Sequence, residues 1–336
     1  MGVVIAILLT KVEPPPMKLQ RSFMRSLGKS LLALALLINP ISAQESYLAV
    51  EAHSGKVLLE LNADTKRPVA SLTKIATAMV VLDWSKLSGS SMGQMAVVPT
   101  EAASLGGSNP MGLLPGDRIA LRDAMYSMLL GSDNVSAHTL ADHVGRSIIS
   151  RTGGRHPVTS FVGEMNNLAK ALGMKRTKFA NPHGMDTARQ KGTSTARDMA
   201  RLSIYAMRNT GLQYYVKQKS RSIGSYRGNA RRGFKIQNTH ELVGSMGVVG
   251  IKGGNTVLAG PCLATSAAKP NIVEKLANGS TRLTPRNLIV ITLGSPDRLG
   301  RTRSLIEQGW PRYEAWTQQG RPVADQAREL LLVPKL

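Results

Sequence analysis

The sequence predicts an α+β fold, with one antiparallel sheet built from both chain ends and packed against a mostly helical region. Three observations carry this. Short apolar runs of strand type lie near the start, at 47–51 and 56–61, and again near the end, at 248–251, 261–266 and 288–293. Stretches of helical period fill the middle, at 70–83, 122–130, 135–144, 159–172 and 195–207. With 336 residues, 42% of them hydrophobic, the chain can bury a sizeable core.

The elements follow in order. Basic residues Lys18, Arg21, Arg25 and Lys29 precede the apolar run 31–38. Asn39-Pro40 breaks that run, and Ile41-Ser42-Ala43 offers a small-residue cleavage site. This is the n-, h- and c-region order of an export signal, assigned to 17–43 with Met17 or Met24 as the start. The run is shorter than the roughly 20 residues that span a bilayer. Residues 1–16 fit no targeting plan and read as an extension. The two runs at 47–51 and 56–61 flank Ala52-His53-Ser54-Gly55 and read as a hairpin. A loop leads to the helix at 70–83. Glycines and prolines at 106, 107, 110, 115 and 116 mark loops and small strands. The helix at 159–172 carries Phe161, Met165, Leu168, Ala169 and Leu172 on one stripe, and Gly173 can cap it. Ser194 or Thr195 caps the next helix. The segment 217–222 reads as an exposed strand, and 297–310 as a final helix. The folded domain is placed at 44–312, with a short tail at 313–336.

Charge and composition exclude some classes. The net charge is +22, which favours anionic surroundings. No zinc knuckle, RNP-like stretch or Gly-rich phosphate loop accompanies it, and export argues against nucleic acid as the partner. Cys262 is the only cysteine, so no internal disulfide forms. The histidines, at 53, 138, 143, 156, 183 and 240, make no HExxH or Cys/His cluster, so no metal or other cofactor is expected.

Three short motifs carry the chemistry. Ser71-Leu72-Thr73-Lys74 opens the helix at 70–83. Positions i and i+3 share a helix face, so the Lys74 amine can approach the Ser71 hydroxyl. A buried lysine near other cations can lose its proton and serve as a base. Ser132-Asp133-Asn134 interrupts a helix; Ser132 can relay a proton, and the Asn134 amide can reach both a substrate backbone and Lys74. Lys252-Gly253-Gly254, on a strand, places a fixed charge where a substrate backbone can approach closely. Each motif alone has a bland reading: a surface lysine near a helix start, a capping triplet, a strand lysine before a glycine turn. Their occurrence together and in this order favours serine acyl transfer.

Together they resemble the serine D-alanyl-D-alanine carboxypeptidases, the low-molecular-mass penicillin-binding proteins. The likeness extends to Val69-Ala70, Ile75–Ala78, 113–117, 130–134, Met165-Asn166, 172–174, 179–186 and 194–199, and covers about 45–312. It implies a β-lactamase/transpeptidase-like fold. It also implies Ser71 as the acylated nucleophile, Lys74 as its base, and Ser132 and Asn134 in the proton and substrate network. Lys252 would supply electrostatic stabilisation, and the N–H groups of Ser71 and Asn255 the oxyanion hole. Arg301, near the start of the last helix, is the match for the arginine that holds the substrate carboxylate. The partners implied by the resemblance are peptidoglycan stem peptides and β-lactams as covalent inhibitors. The net charge adds an expected contact with an anionic wall or membrane surface, and the export signal an expected location in the periplasm or extracytoplasmic wall space.

One departure stands out. The family motif is Lys-Thr-Gly, whose Thr hydroxyl helps bind the carboxylate, and Gly253 replaces that Thr. A lost hydrogen bond to a charged group costs roughly 1.5–3 kcal/mol. Thr256 and Asn255 are the substitutes the sequence offers. The short segment after the last helix resembles the shorter, endopeptidase-like branch. Two alternatives have sequence support. A class A-like β-lactamase would need a deacylating glutamate, and Glu164 lies in a helix explained otherwise. A weakened peptidoglycan-binding protein is supported by Gly253.

Overall fold

The computed structural model describes residues 45–187 and 191–336. The expected extension and export signal lie outside these. Strands β1 (Ser46–Glu51) and β2 (Val57–Leu61) form the opening hairpin. They join β7 (Val248–Thr256), β8 (Gly260–Lys275) and β9 (Thr281–Leu293) in a five-stranded antiparallel sheet of order β2-β1-β9-β8-β7. The two chain ends therefore meet in one sheet, as the sequence predicts.

Strand β9 shows why both faces of this sheet are covered. Ile289 and Ile291 enter the main core, while Leu288 and Val290 point to the other side. Successive strand residues face opposite ways, and here both faces are apolar. On the first side lie α1 (Lys74–Ser88), α2 (Leu121–Leu130), α3 (Asn134–Thr152), α4 (Pro157–Ala171), α5 (Ala196–Met207) and α6 (Thr210–Val216). The second side is closed by α7 (Arg298–Gln318), through Leu305, Ile306, Trp310 and Tyr313.

Several boundaries differ from the sequence reading, for physical reasons. Helix α7 passes through Pro311 to Gln318. An interior proline costs about 3 kcal/mol, but Tyr313 and Trp316 continue the apolar stripe beyond it and remain buried. The chain after α7 folds back: the Leu331 N–H donates to the Gly55 carbonyl at 2.7 Å, and Leu331 is buried. The single strand read at 217–222 is a hairpin, β5 (Ser220–Arg227) and β6 (Ala230–Gln237). It pairs with β3 (Met95–Val97) and β4 (Arg118–Ala120) in a second, four-stranded sheet. Helix α6, only seven residues long, is too short to show a period, and polar residues mask the alternation in the long outer parts of β8 and β9.

Candidate active site

Ser71 lies in the 3₁₀ turn Ala70–Thr73 that leads directly into α1. The turn is strained: Ala70 has φ 49°, a left-handed value that costs a non-glycine residue energy. Two glycines let the surroundings close on it. A Cβ on Gly184 would lie 1.9 Å from the Ala70 carbonyl oxygen, and one on Gly254 would lie 2.7 Å from the Ser71 nitrogen. Glycine at 254 is therefore what allows β7 to press against the serine turn.

Lys74 follows one turn later with no solvent exposure. Its Nζ lies 2.9 Å from Ser71 Oγ, 2.7 Å from Asn134 Oδ1 and 2.8 Å from the His183 carbonyl oxygen. Burial pushes its pKa well down, the charge of Lys252 pushes it further, and Asp133 opposes both. A neutral amine has two hydrogens and one lone pair. Asn134 Oδ1 and the His183 carbonyl can only accept, so they take the two hydrogens. The lone pair is then left for the Ser71 hydroxyl proton.

The Ser132-Asp133-Asn134 triplet stands between α2 and α3. Ser132 also has a left-handed φ of 59°. Asp133 caps α3, accepting from the Ser136 N–H at 3.0 Å and from the Ser127 and Ser136 hydroxyls at 2.7 and 2.8 Å. Burial still moves its pKa up. The cap fixes Asn134, whose amide donates to the Gly106 carbonyl at 2.7 Å while its oxygen accepts from Lys74.

Lys252 is buried on β7 and donates to the carbonyl of Gly253 at 2.8 Å. Burial, with the nearby Arg298 charge, lowers its pKa to about 7. Ser71, Ser132, Asn134, Gly253, Gly254 and Asn255 line one cleft of about 270 Å³. The structure thus brings the three motifs together, with Lys252 directly behind the wall.

Arg301 is the exception and a correction. Its guanidinium donates to the Glu45 carboxylate at 3.0 and 3.1 Å and stacks over Tyr47, away from the cleft. Arg298, one turn earlier, lines the cleft instead. The helix begins right after its cap Asp297, so its first residue reaches the site and the residue one turn on does not. Thr239 also lines the cleft and was not foreseen; nothing in its local sequence marks it. The contribution of the His183 carbonyl was visible only as part of the motif at 179–186.

No Asp or Glu is among the described residues lining this cleft. Glu164 sits on α4 and accepts from the Asn167 amide at 3.3 Å. A deacylating glutamate of the class A type therefore has no counterpart there. Among the described residues, no group of three or more His, Cys, Asp or Glu is arranged to hold a metal ion. A larger cavity, about 1070 Å³, opens beside Asp83 and Tyr205 at the other end of α1, and none of the three motifs reaches it.

Comparison with known proteins places the chain in a family. The family described as D-alanyl-D-alanine carboxypeptidase matches residues 38–275. The D-alanyl-D-alanine carboxypeptidase DacA of Escherichia coli is 33% identical over 231 residues, which is 67% of this chain and 53% of that protein. The chain thus spans about half the length of this relative. A D-alanyl-D-alanine endopeptidase of Pseudomonas aeruginosa is 33% identical over 284 residues, 84% of this chain and 79% of the relative. Among solved structures, the Streptomyces K15 DD-transpeptidase superposes with a TM-score of 0.66 at 26% identity, covering 79% of this chain and 96% of that one.

Proposed function

The chain belongs to the D-alanyl-D-alanine carboxypeptidase family, and from that premise we propose that it is an exported serine DD-peptidase acting on peptidoglycan. It hydrolyses D-Ala-D-Ala ends or D-Ala cross-links through a Ser71 acyl-enzyme, and β-lactams acylate the same serine. One observation carries this reading: the Lys74 amine, dry and held by two pure acceptors, has only the Ser71 hydroxyl left to serve.

The steps follow from that arrangement. The Ser71 oxygen attacks the carbonyl carbon of the penultimate D-Ala, and its proton passes to Lys74 Nζ. The carbonyl electron pair moves onto oxygen, which the N–H groups of Ser71 and Asn255 stabilise. As the C–N bond breaks, the leaving amine takes a proton from the Lys74 ammonium by way of the Ser132 hydroxyl. Water then attacks the ester and loses its proton to Lys74; as the C–O bond to Ser71 breaks, Lys74 returns that proton to the Ser71 oxygen, which leaves the product acid free and both residues in their starting state. Asn134 holds the substrate backbone, and the Lys252 and Arg298 charges favour its carboxylate.

Three further features belong to this reading. The n-, h- and c-region order at 17–43 supports export to the periplasm or wall space. The net charge of +22 supports attraction to an anionic wall or membrane surface. The likeness to an endopeptidase over most of that protein's length supports the endopeptidase-like branch. Purified cross-linked muropeptides, digested and analysed by mass, test the proposal. Loss of one D-Ala per stem, or conversion of dimers to monomers, is expected, and both should vanish in Ser71→Ala. Unchanged muropeptides with the folded wild-type protein would refute it.

A further inference from the structure

Gly253 leaves a gap in the cleft wall where a threonine hydroxyl would otherwise meet a carboxylate. The gap is real space: a Cβ at 253 would lie 3.4 Å from Leu263 Cδ1 and 3.9 Å from the Thr239 carbonyl oxygen, both ordinary contacts. Thr239 thus lies beside the missing side chain, its carbonyl oxygen being one of the two nearest atoms, and it is exposed and lines the cleft.

Its loop is fixed on both sides. The Asn238 amide donates to the carbonyls of Val216 and Gln218 at 3.0 and 2.9 Å, and Asn238 Oδ1 accepts from the His240 N–H at 2.9 Å. His240, buried, meets Thr265 Oγ1 at 3.0 Å. Thr239 therefore presents its hydroxyl from a rigid position.

That hydroxyl is also free to turn. It donates to the Leu130 carbonyl at 2.9 Å, but the Thr239 backbone N–H donates to the same oxygen, also at 2.9 Å. If the hydroxyl rotates toward a ligand, Leu130 keeps a donor and no buried acceptor is orphaned. The other candidates are placed less well. Thr256 also lines the cleft, but it lies an odd number of residues from Gly253 along the strand, and its hydroxyl already accepts from the Ala259 N–H at 3.2 Å. Asn255 lines the cleft on the face of Gly253, but two residues further along the strand, at the oxyanion position its backbone N–H serves.

We infer that the Thr239 hydroxyl supplies the carboxylate hydrogen bond that Gly253 cannot, acting beside Arg298 on the carboxylate of the substrate or of a β-lactam. This rests on the serine DD-peptidase reading above. The hydroxyl exchanges its bond to Leu130 for a charge-assisted one as the ligand enters.

The test compares acylation of Ser71 by benzylpenicillin, which carries the carboxylate, with acylation by its methyl ester, which does not. Thr239→Val should slow acylation by benzylpenicillin about 10–150-fold, the range for one hydrogen bond to a charged group. With the methyl ester the change should be under about twofold by the same reasoning. Thr239→Ser should retain the wild-type rate. Gly253→Thr should restore most of the loss in the Thr239→Val background and add little to the wild type, because the two hydroxyls share one role. Thr239→Ala serves as a second variant if Thr239→Val fails to fold. Equal slowing with both probes, no slowing with either, or an equal gain from Gly253→Thr in both backgrounds would overturn the inference while leaving the function intact. A wild type that neither probe acylates would overturn the function itself, and the inference with it.

Discussion

At the scale of single residues, the site is a contest between two buried lysines. Lys74 must be neutral to accept the serine proton, and Lys252 must be charged to favour an anionic substrate. Burial works against charge on both. Each also repels the charge of a neighbour: Lys252 lowers Lys74, and Arg298 lowers Lys252. The acylation rate should therefore rise with pH as Lys74 gives up its proton and fall above about 7 as Lys252 gives up its own. The Arg298→Leu variant removes the charge that repels Lys252. Lys252 then holds its proton to higher pH, and the basic limb of the profile moves up. The profile is read with benzylpenicillin, as the position of the basic limb and not its height, because loss of the guanidinium's own contact with the carboxylate lowers the whole curve without moving that limb. A basic limb that stays in place would show that burial alone sets Lys252.

At the scale of elements, the hairpin of β5 and β6 combines two kinds of cation. Arg227 and Arg232 turn toward the buried carboxylate of Asp117, at 2.8 and 3.8 Å. They tie the hairpin to the loop before β4 and are committed to the fold. Arg231 and Lys235 stand two register steps apart on the other face, both exposed. Glycines 224 and 233 pair directly between them, and the Arg231 guanidinium lies over the Gly224 position. An anionic polymer lying across this face would meet both charges. Replacing Arg231 and Lys235 by Gln should weaken binding to intact sacculi, most at low salt, and leave hydrolysis of small soluble muropeptides unchanged. Binding that is equal at low salt and at about 0.5 M salt would assign the hairpin to the ordinary solvated surface.

At the scale of the whole molecule, the parts that were legible are those encoded locally. Ser71 and Lys74 are one turn apart, Asn134 starts a helix capped by its neighbour Asp133, and Lys252 lies on an apolar strand, so motif and spacing suffice to place them. The sheet from both chain ends was legible because its central strands are apolar on both faces. The misses are cases where distant packing decides. Arg298 and Arg301 lie on the same side of α7, and only the depth of its first turn determines which enters the cleft. Thr239 becomes part of the site because its loop packs beside Gly253, which no local pattern encodes. The second sheet was hidden because β5 and β6 are rich in Arg, Lys and Gly. Helix α7 outruns Pro311 because Tyr313 and Trp316 bury beyond it.

Every other role in the site depends on Ser71 being the group that is acylated. Intact-protein mass spectrometry after incubation with benzylpenicillin measures this directly, with peptide mapping to locate the adduct. The wild type should gain one penicilloyl group, on Ser71, that persists long after excess drug is removed, and Ser71→Ala should gain none. An adduct on Ser71→Ala, an adduct mapped to another residue, or a wild type that destroys the drug rapidly without retaining it would contradict the mechanism.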